Sequence, residues 1–290
     1  MEFIHVTSNN REQTLLRTKP CVIALGFFDG VHLGHQQVIK EAKRVAVEQE
    51  LPFVIMSFFP HPKEVLSNGK KIIPYLMPLT DKRRIFEELG ADSFYLIQFT
   101  KAFAGLSPRE FVQTYLLGFG AKQVVAGFDF TYGHRGEGNM DTINRDSDGK
   151  IEGIKVNKIE WEGEKISSSL IRNLVLTGEM ERIASYLGND YQCDGRINFR
   201  KKHVEAVLHP DYLMPASGWY EVTVSLHQET TTQIAVVREG RLTLLSPQGQ
   251  VFPFYAGETV RLSWKKALPK GFVHEEISRQ VSLSSSLVNL

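Results

Sequence analysis

Gly26-Phe27-Phe28-Asp29-Gly30-Val31-His32-Leu33-Gly34-His35 sets three glycines and two histidines directly after the apolar run Val22 to Leu25 and before a helix-period segment. Strand, glycine-rich turn and helix start make a seat for phosphate. Unpaired N–H groups and the positive end of the helix dipole hold anions, and Gly26, Gly30 and Gly34 let the backbone approach a triphosphate. The spacing is neither GxGxxG nor GxxxxGK[ST], and no lysine reaches into the segment, so His32 and His35 have to supply the side-chain contacts. That points to nucleotidyl transfer rather than kinase-type chemistry. In an in-line attack on an α-phosphorus, charge builds on the equatorial oxygens and the leaving pyrophosphate, where preorganised donors lower the barrier. A plainer reading stands beside this one, in which His32 caps the turn and His35 is a solvated first-turn residue.

Three further segments carry chemistry-bearing residues. In Ser57 to Glu64 a strand ends in two phenylalanines and enters Pro60-His61-Pro62, a rigid loop at the carboxyl edge of a sheet, where open α/β sheets bind ligands and a flat apolar ring can lie. Phe58, in phase with Val54 and Met56, reads as core. Asp129 follows Gly127 among Phe128, Phe130 and Tyr132, and is either a functional acceptor or a turn-forming aspartate. Facing phosphates, its carboxylate would repel them unless Mg2+ intervenes. The stretch His134 to Asn139, rich in glycine and charge, is expected as a mobile loop able to cover the phosphates. Ser167, Ser168 and Ser169 precede Leu170-Ile171-Arg172, so a serine caps a helix whose N-terminus is available to a nucleotide, or caps it and nothing more.

The elements that must position these residues alternate. Apolar runs at Val22 to Leu25, Phe53 to Phe58, Phe94 to Phe99 and Val124 to Ala126, with helical patterns between them, predict a parallel α/β sheet. After His35, the residues Val38, Ile39, Ala42, Val45 and Ala46 share one helix face. Ser107-Pro108-Arg109-Glu110 spells a capping box ahead of Phe111, Val112, Tyr115 and Leu116, and Gly90 is a helix stop. Beyond about Asp190 the pattern becomes short alternating runs (Trp219 to Leu226, Thr232 to Val237, Arg241 to Leu245, Thr259 to Trp264), which predict a compact antiparallel barrel or sandwich. With a helix ending at Gly188, the expected division is 1–188 and 189–290.

Composition bounds the rest. With 290 residues, 42% apolar and 23% charged, the chain is long enough for two globular domains. A formal net charge of +1 gives no field that argues for nucleic acid or an anionic membrane, and the clusters Lys82-Arg83-Arg84 and Arg200-Lys201-Lys202 read as solvated faces. The first residues lack the apolar core of a signal peptide and no apolar run reaches a membrane-spanning length, which gives a cytoplasmic expectation. Cys21 and Cys193, far apart and without CxxC partners, suggest neither a disulfide framework nor structural zinc.

Taken in order, Gly26 to His35, Ser57 to Glu64, Ala126 to Gly133 and Ile166 to Arg172 resemble the GxFDGxHxGH, PHP, G-x-[DN]-F-x-[FY]-G and ISSTxIR segments of the adenylyltransferase half of bacterial FAD synthetases. These form a branch of the HxGH nucleotidyltransferases. The resemblance implies a Rossmann-like α/β domain with a parallel sheet and a smaller antiparallel β-barrel after it. It implies ATP, with Mg2+, on Gly26, Phe27, Phe28, Asp29, Gly30, His32, Gly34, His35, Gly127, Ser168, Ser169 and Arg172, the catalytic positions being His32, His35 and Arg172. FMN falls to His61, Pro62, Phe128, Asp129 and Tyr132, with Asp129 also linked to the metal, and FAD is the product. Ser169 stands for the usual threonine and Leu170 for a frequent arginine, which removes one cation.

Most such proteins also carry a riboflavin kinase barrel marked by G-x-P-T-A-N and a later catalytic glutamate. Between Gly195 and Tyr212 this chain has no PTAN, and Glu258 and Glu275 stand without a motif. The implied barrel keeps its shape and loses its kinase chemistry. Adenylyl transfer to another phosphorylated acceptor, and a flavin or nucleotide sensor with weak catalysis, remain as alternatives.

Overall fold

The computed structural model describes residues 1–200, 203–227, 229–245 and 254–269. They divide into two compact units, one of Met1–Pro74 and Leu79–Ile166, the other of Tyr75–Pro78 and the described residues from Ser167 onward.

The first unit is built on six parallel strands, β1 (Glu2–Val6), β2 (Cys21–Leu25), β3 (Phe53–Phe59), β4 (Ser93–Gln98), β5 (Ala121–Gly127) and β8 (Glu152–Val156), in the order β1-β4-β3-β2-β5-β8. Every residue of β2 is buried, as a strand covered on both faces requires. From β2 the chain builds outward through β3 and β4, then returns to place β5 on the other side of β2. The carboxyl ends of β2 and β5 therefore flank a topological switch point, where open α/β sheets bind ligands. The short pair β6 (Thr131–Tyr132) and β7 (Gly138–Asn139) and the hairpin β9 (Glu160–Trp161) and β10 (Glu164–Lys165) complete its strands.

Its helices are α1 (Arg11–Leu15), α2 (Leu33–Glu48), α3 (Pro62–Leu66), α4 (Leu79–Glu88), α5 (Lys101–Ala104), α6 (Pro108–Phe111) and α7 (Ile143–Asp146). The predicted face of α2 is its buried face: Val38, Ile39, Ala42, Val45 and Ala46. The capping box at Ser107 and Glu110 forms with both reciprocal bonds. The regular α pattern expected behind it gives way to a π-helix over Val112–Leu117, a winding common beside functional sites. The edge strands β1 and β8 escape the apolar-run criterion because each mixes polar and partly exposed residues.

The second unit holds α8 (Ser168–Thr177), α9 (Met180–Leu187) and a closed antiparallel barrel of β11 (Tyr191–Arg200), β12 (His203–Leu208), β13 (Gly218–Leu226), β14 (Glu229–Arg238), β15 (Arg241–Leu245) and β16 (Thr259–Leu268). α9 ends at Gly188, whose φ of 82° is the left-handed cap that glycine tolerates. Tyr220, Val222, Val224 and Trp264 are buried in its core. The Tyr191 hydroxyl ties the Tyr75–Pro78 segment to this unit by donating at 2.9 Å to the carbonyls of Leu76 and Leu213. The region in which PTAN is missing forms the β11–β12 pair, with Gly195 opposite Leu208. Lys201, Lys202 and Glu275 lie outside the described residues. Both cysteines are buried thiols, and burial pushes that of Cys21 up to about 12. Among the described residues no helix is long and apolar enough to cross a membrane.

Candidate active site

The turn after β2 is held in an unusual shape. Phe28 (φ 53°), Gly30 (φ 79°) and Val31 (φ 39°) all take positive φ, and two of them carry side chains that disfavour it. Left-handed residues in a turn can direct backbone N–H groups toward an anion, as nests do. The strain is held by packing. The Phe28 ring is 1% exposed and meets Phe86 and His35 edge-on at 5.9 and 5.4 Å. Phe28 and Val31 are thus core side chains, so only the backbone of Phe28 is left to face the turn's concave side.

His32 is the N-cap of α2. Its Nδ1 accepts the His35 backbone N–H at 3.2 Å, and the two imidazoles stack with centroids 3.6 Å apart. The capping and donor readings are therefore compatible, because acceptance at Nδ1 sets the neutral tautomer with the proton on Nε2. A Cβ on Gly34 would stand 3.2 Å from the His32 ring, so glycine makes room for this stack.

Lys82 departs from the solvated face expected of Lys82-Arg83-Arg84 and braces this turn from outside the segment, while Arg83 is exposed as expected. Lys82 is 5% exposed, and its Nζ donates to the Phe27 carbonyl at 3.1 Å and lies 5.0 Å from the Phe27 ring centre. The Ser57 hydroxyl donates to the same carbonyl at 2.9 Å. The available signal was periodicity: Lys82 precedes Phe86 by four on α4, which puts both on the buried face.

Held in this way, Phe27 also faces a second space. Its ring meets the His61 imidazole edge-on at 4.5 Å, and His61 caps α3 through Nδ1, which accepts Lys63 N–H at 3.1 Å. Beside it opens a cavity of about 700 Å3 walled by Phe27, Phe58, Phe99, Phe103, Phe111, Phe130 and Tyr132, with His61 and Pro62 at one side and His134 to Gly136 at another. Its size is that of a pocket for a drug-sized ligand, and aromatic walls suit a flat ring. Phe58 is both core, as its phase predicts, and cavity wall. The Tyr132 hydroxyl is buried and donates to Asp146 at 2.9 Å, and burial raises its pKa well above the ordinary tyrosine value. The His134–Asn139 stretch, expected as a covering loop, folds as a helical turn followed by β7, and its first residues line this cavity.

Phe128 and Asp129 are not among the cavity walls. Lys165, from the β9–β10 hairpin, donates to the Asp129 carboxylate at 2.5 Å and lies 4.6 Å from the Phe128 ring centre. This cation answers the repulsion that a bare carboxylate would give phosphates, and sequence distance hid it. Among the described residues no three His, Cys, Asp or Glu side chains gather to hold a metal. Mg2+ carried on a triphosphate would need no such cluster, only one or two protein carboxylates. Gly127 stands at the end of β5, where a Cβ would meet Asp129 Oδ1 at 3.4 Å. Ser168, Ser169 and Arg172 lie on the first turns of α8 in the second unit, with Ser167 as the capping serine, its Oγ accepting Leu170 N–H at 3.2 Å.

A family model described as FAD synthetase matches residues 15–170, more than half of the chain. A bifunctional riboflavin kinase/FMN adenylyltransferase of Listeria monocytogenes is 41% identical, with 74% of this chain and 71% of that protein aligned. One of the same description from Bacillus subtilis is 34% identical over 92% of this chain and 90% of its own length. A Listeria monocytogenes protein named FAD synthetase is 28% identical, covering 76% and 87%. A solved structure described as a macrolide-efflux protein from Streptococcus pneumoniae superposes with a TM-score of 0.80 at 29% identity, covering 92% of this chain and all of that one. The chain belongs to the FAD synthetase family of nucleotidyltransferase enzymes.

Proposed function

We propose that the chain is an FMN adenylyltransferase, in which a phosphate oxygen of FMN attacks the α-phosphorus of Mg-ATP to give FAD and pyrophosphate. The observation that carries this reading is Phe27, whose backbone belongs to the phosphate turn and whose ring walls the aromatic cavity. Adenylyl transfer to a small phosphorylated acceptor would leave those aromatic walls without a use.

The attacking phosphate is already ionised, so no general base is needed, and positioning and charge stabilisation carry the reaction. His32, with its proton on Nε2, and His35 donate toward the phosphates. The start of α2 and the strained turn supply backbone N–H groups. The resemblance assigns Arg172, Ser168 and Ser169 to the triphosphate and base, and Gly127 to the nucleotide at the end of β5. His61, Pro62 and Tyr132 hold the flavin ring. Phe128 and the Lys165-neutralised Asp129 lie toward the phosphates. Mg2+ enters as part of the substrate, and both substrates place the enzyme in the cytoplasm. Two relatives are named bifunctional, but the β11–β12 pair of this chain lacks the PTAN sequence, so riboflavin phosphorylation is absent or very weak.

Incubation with ATP and Mg2+ plus either FMN or riboflavin, followed by chromatography of the flavins, tests this. FAD is expected from FMN and not from riboflavin. Flavin binding with no turnover would replace the enzyme by a sensor, and pyrophosphate release with another acceptor but not with FMN would redirect the acceptor.

A further inference from the structure

The aromatic cavity accounts for a ring and leaves the charged end of the substrate to be placed. Among its described lining residues Arg135 is the only lysine or arginine. It is exposed, and no described acid or carbonyl bonds its guanidinium. Its backbone is held at φ 55°, ψ 16°, a left-handed conformation that disfavours a side chain. Fixed neighbours impose that shape. His134 N–H donates to the Leu106 carbonyl at 2.6 Å, and Gly136 N–H to the Gly133 carbonyl at 3.0 Å. Gly133, at φ 74°, sits so near Pro108 that a Cβ would come within 2.7 Å of its nitrogen. Glu137, the nearest acid in sequence, approaches His134 at 3.9 Å.

From this placement we infer that Arg135 is the specificity-determining residue of the flavin site, receiving the phosphate that distinguishes FMN from riboflavin. The inference rests on the FMN reading given above. A planar ring gains most by burial among the phenylalanines, so the anionic end of the same molecule emerges at the exposed rim. There a guanidinium fork matches phosphate oxygens in pairs. The pocket thus sorts its ligand by two chemistries: apolar walls admit any isoalloxazine, and one cation selects the phosphorylated one.

The test measures flavin binding by fluorescence quenching, without ATP, for the full chain and for Arg135→Gly and Arg135→Lys, using FMN and riboflavin as probes. Glycine fits the left-handed turn better than arginine, so Arg135→Gly keeps or raises the melting temperature while removing the cation. We expect the unaltered protein to prefer FMN over riboflavin by about tenfold or more. Arg135→Gly should weaken FMN by about that factor with riboflavin changed less than about twofold, and Arg135→Lys should keep part of the preference. Equal losses for both flavins, or an undiminished FMN preference in Arg135→Gly, overturn the assignment of Arg135. If the unaltered protein makes FAD from FMN while that happens, the FMN reading survives and this inference alone fails. If it binds neither flavin, both fall.

Discussion

In the proposed mechanism His32 carries two duties that sequence alone sets against each other. As the cap of α2 it accepts the His35 N–H at Nδ1, and that bond sets the tautomer with the proton on Nε2, the donor the proposal assigns to a phosphate. His32→Ala should therefore lower turnover by about a hundredfold, as removing one transition-state donor does, and a steady-state assay showing unchanged turnover would reduce His32 to a cap. Lys82→Met tests the other anchor of the turn. It removes a buried charge and one bond to the Phe27 carbonyl while the Ser57 bond stays, so melting should shift by only a few degrees while the KM values for ATP and FMN rise together, about tenfold. A rise for one substrate only would separate the turn from the cavity. At this scale the histidines and glycines were legible because their types and spacing are local. Lys82 and Lys165 were not, because each reaches its partner across a long stretch of chain, and the burial of Lys82 runs against the solvent-facing reading of a charged letter.

Each element of the first unit that carries the site is a strand end or a helix start, and its shape depends on packing around it. Gly34 shows how tight that is: Gly34→Ala puts a methyl 3.2 Å from the His32 ring, and should reduce turnover far more than it reduces the melting temperature. The cavity wall has its own support. Burial pushes the Asp146 carboxyl up, but hydrogen bonds from Tyr132, Arg145 and Thr142 outweigh it and leave its pKa below the ordinary value of 3.8. A carboxyl depressed on folding stabilises the fold above its unfolded value, and that stability is lost as pH falls through the folded one. Acid unfolding of the native chain should thus steepen below 3.8, and Asp146→Asn should flatten that limb in a circular-dichroism pH titration while leaving the slope at neutral pH unchanged. Apolar runs revealed β2 to β5, buried on both faces. The edge strands β1 and β8 and the first barrel strands β11 and β12 stayed hidden because strands with a solvated side dilute the apolar signal.

For the molecule as a whole, the parallel sheet and the closed barrel are distinct solutions to burying strand edges and faces, and both were readable as a switch from continuous to alternating apolar runs. What the pattern of runs does not encode is the meeting of the phosphate turn and the aromatic cavity at Phe27, a product of strand order. That meeting is the central claim, and ATP labelled at the α-phosphate tests it most directly when supplied with FMN and Mg2+. The account predicts that the label moves into the flavin fraction as FAD, one for each pyrophosphate released, and that His32→Ala slows this about a hundredfold. Label that stays in ATP, or that leaves as AMP with the FMN unchanged, would contradict it.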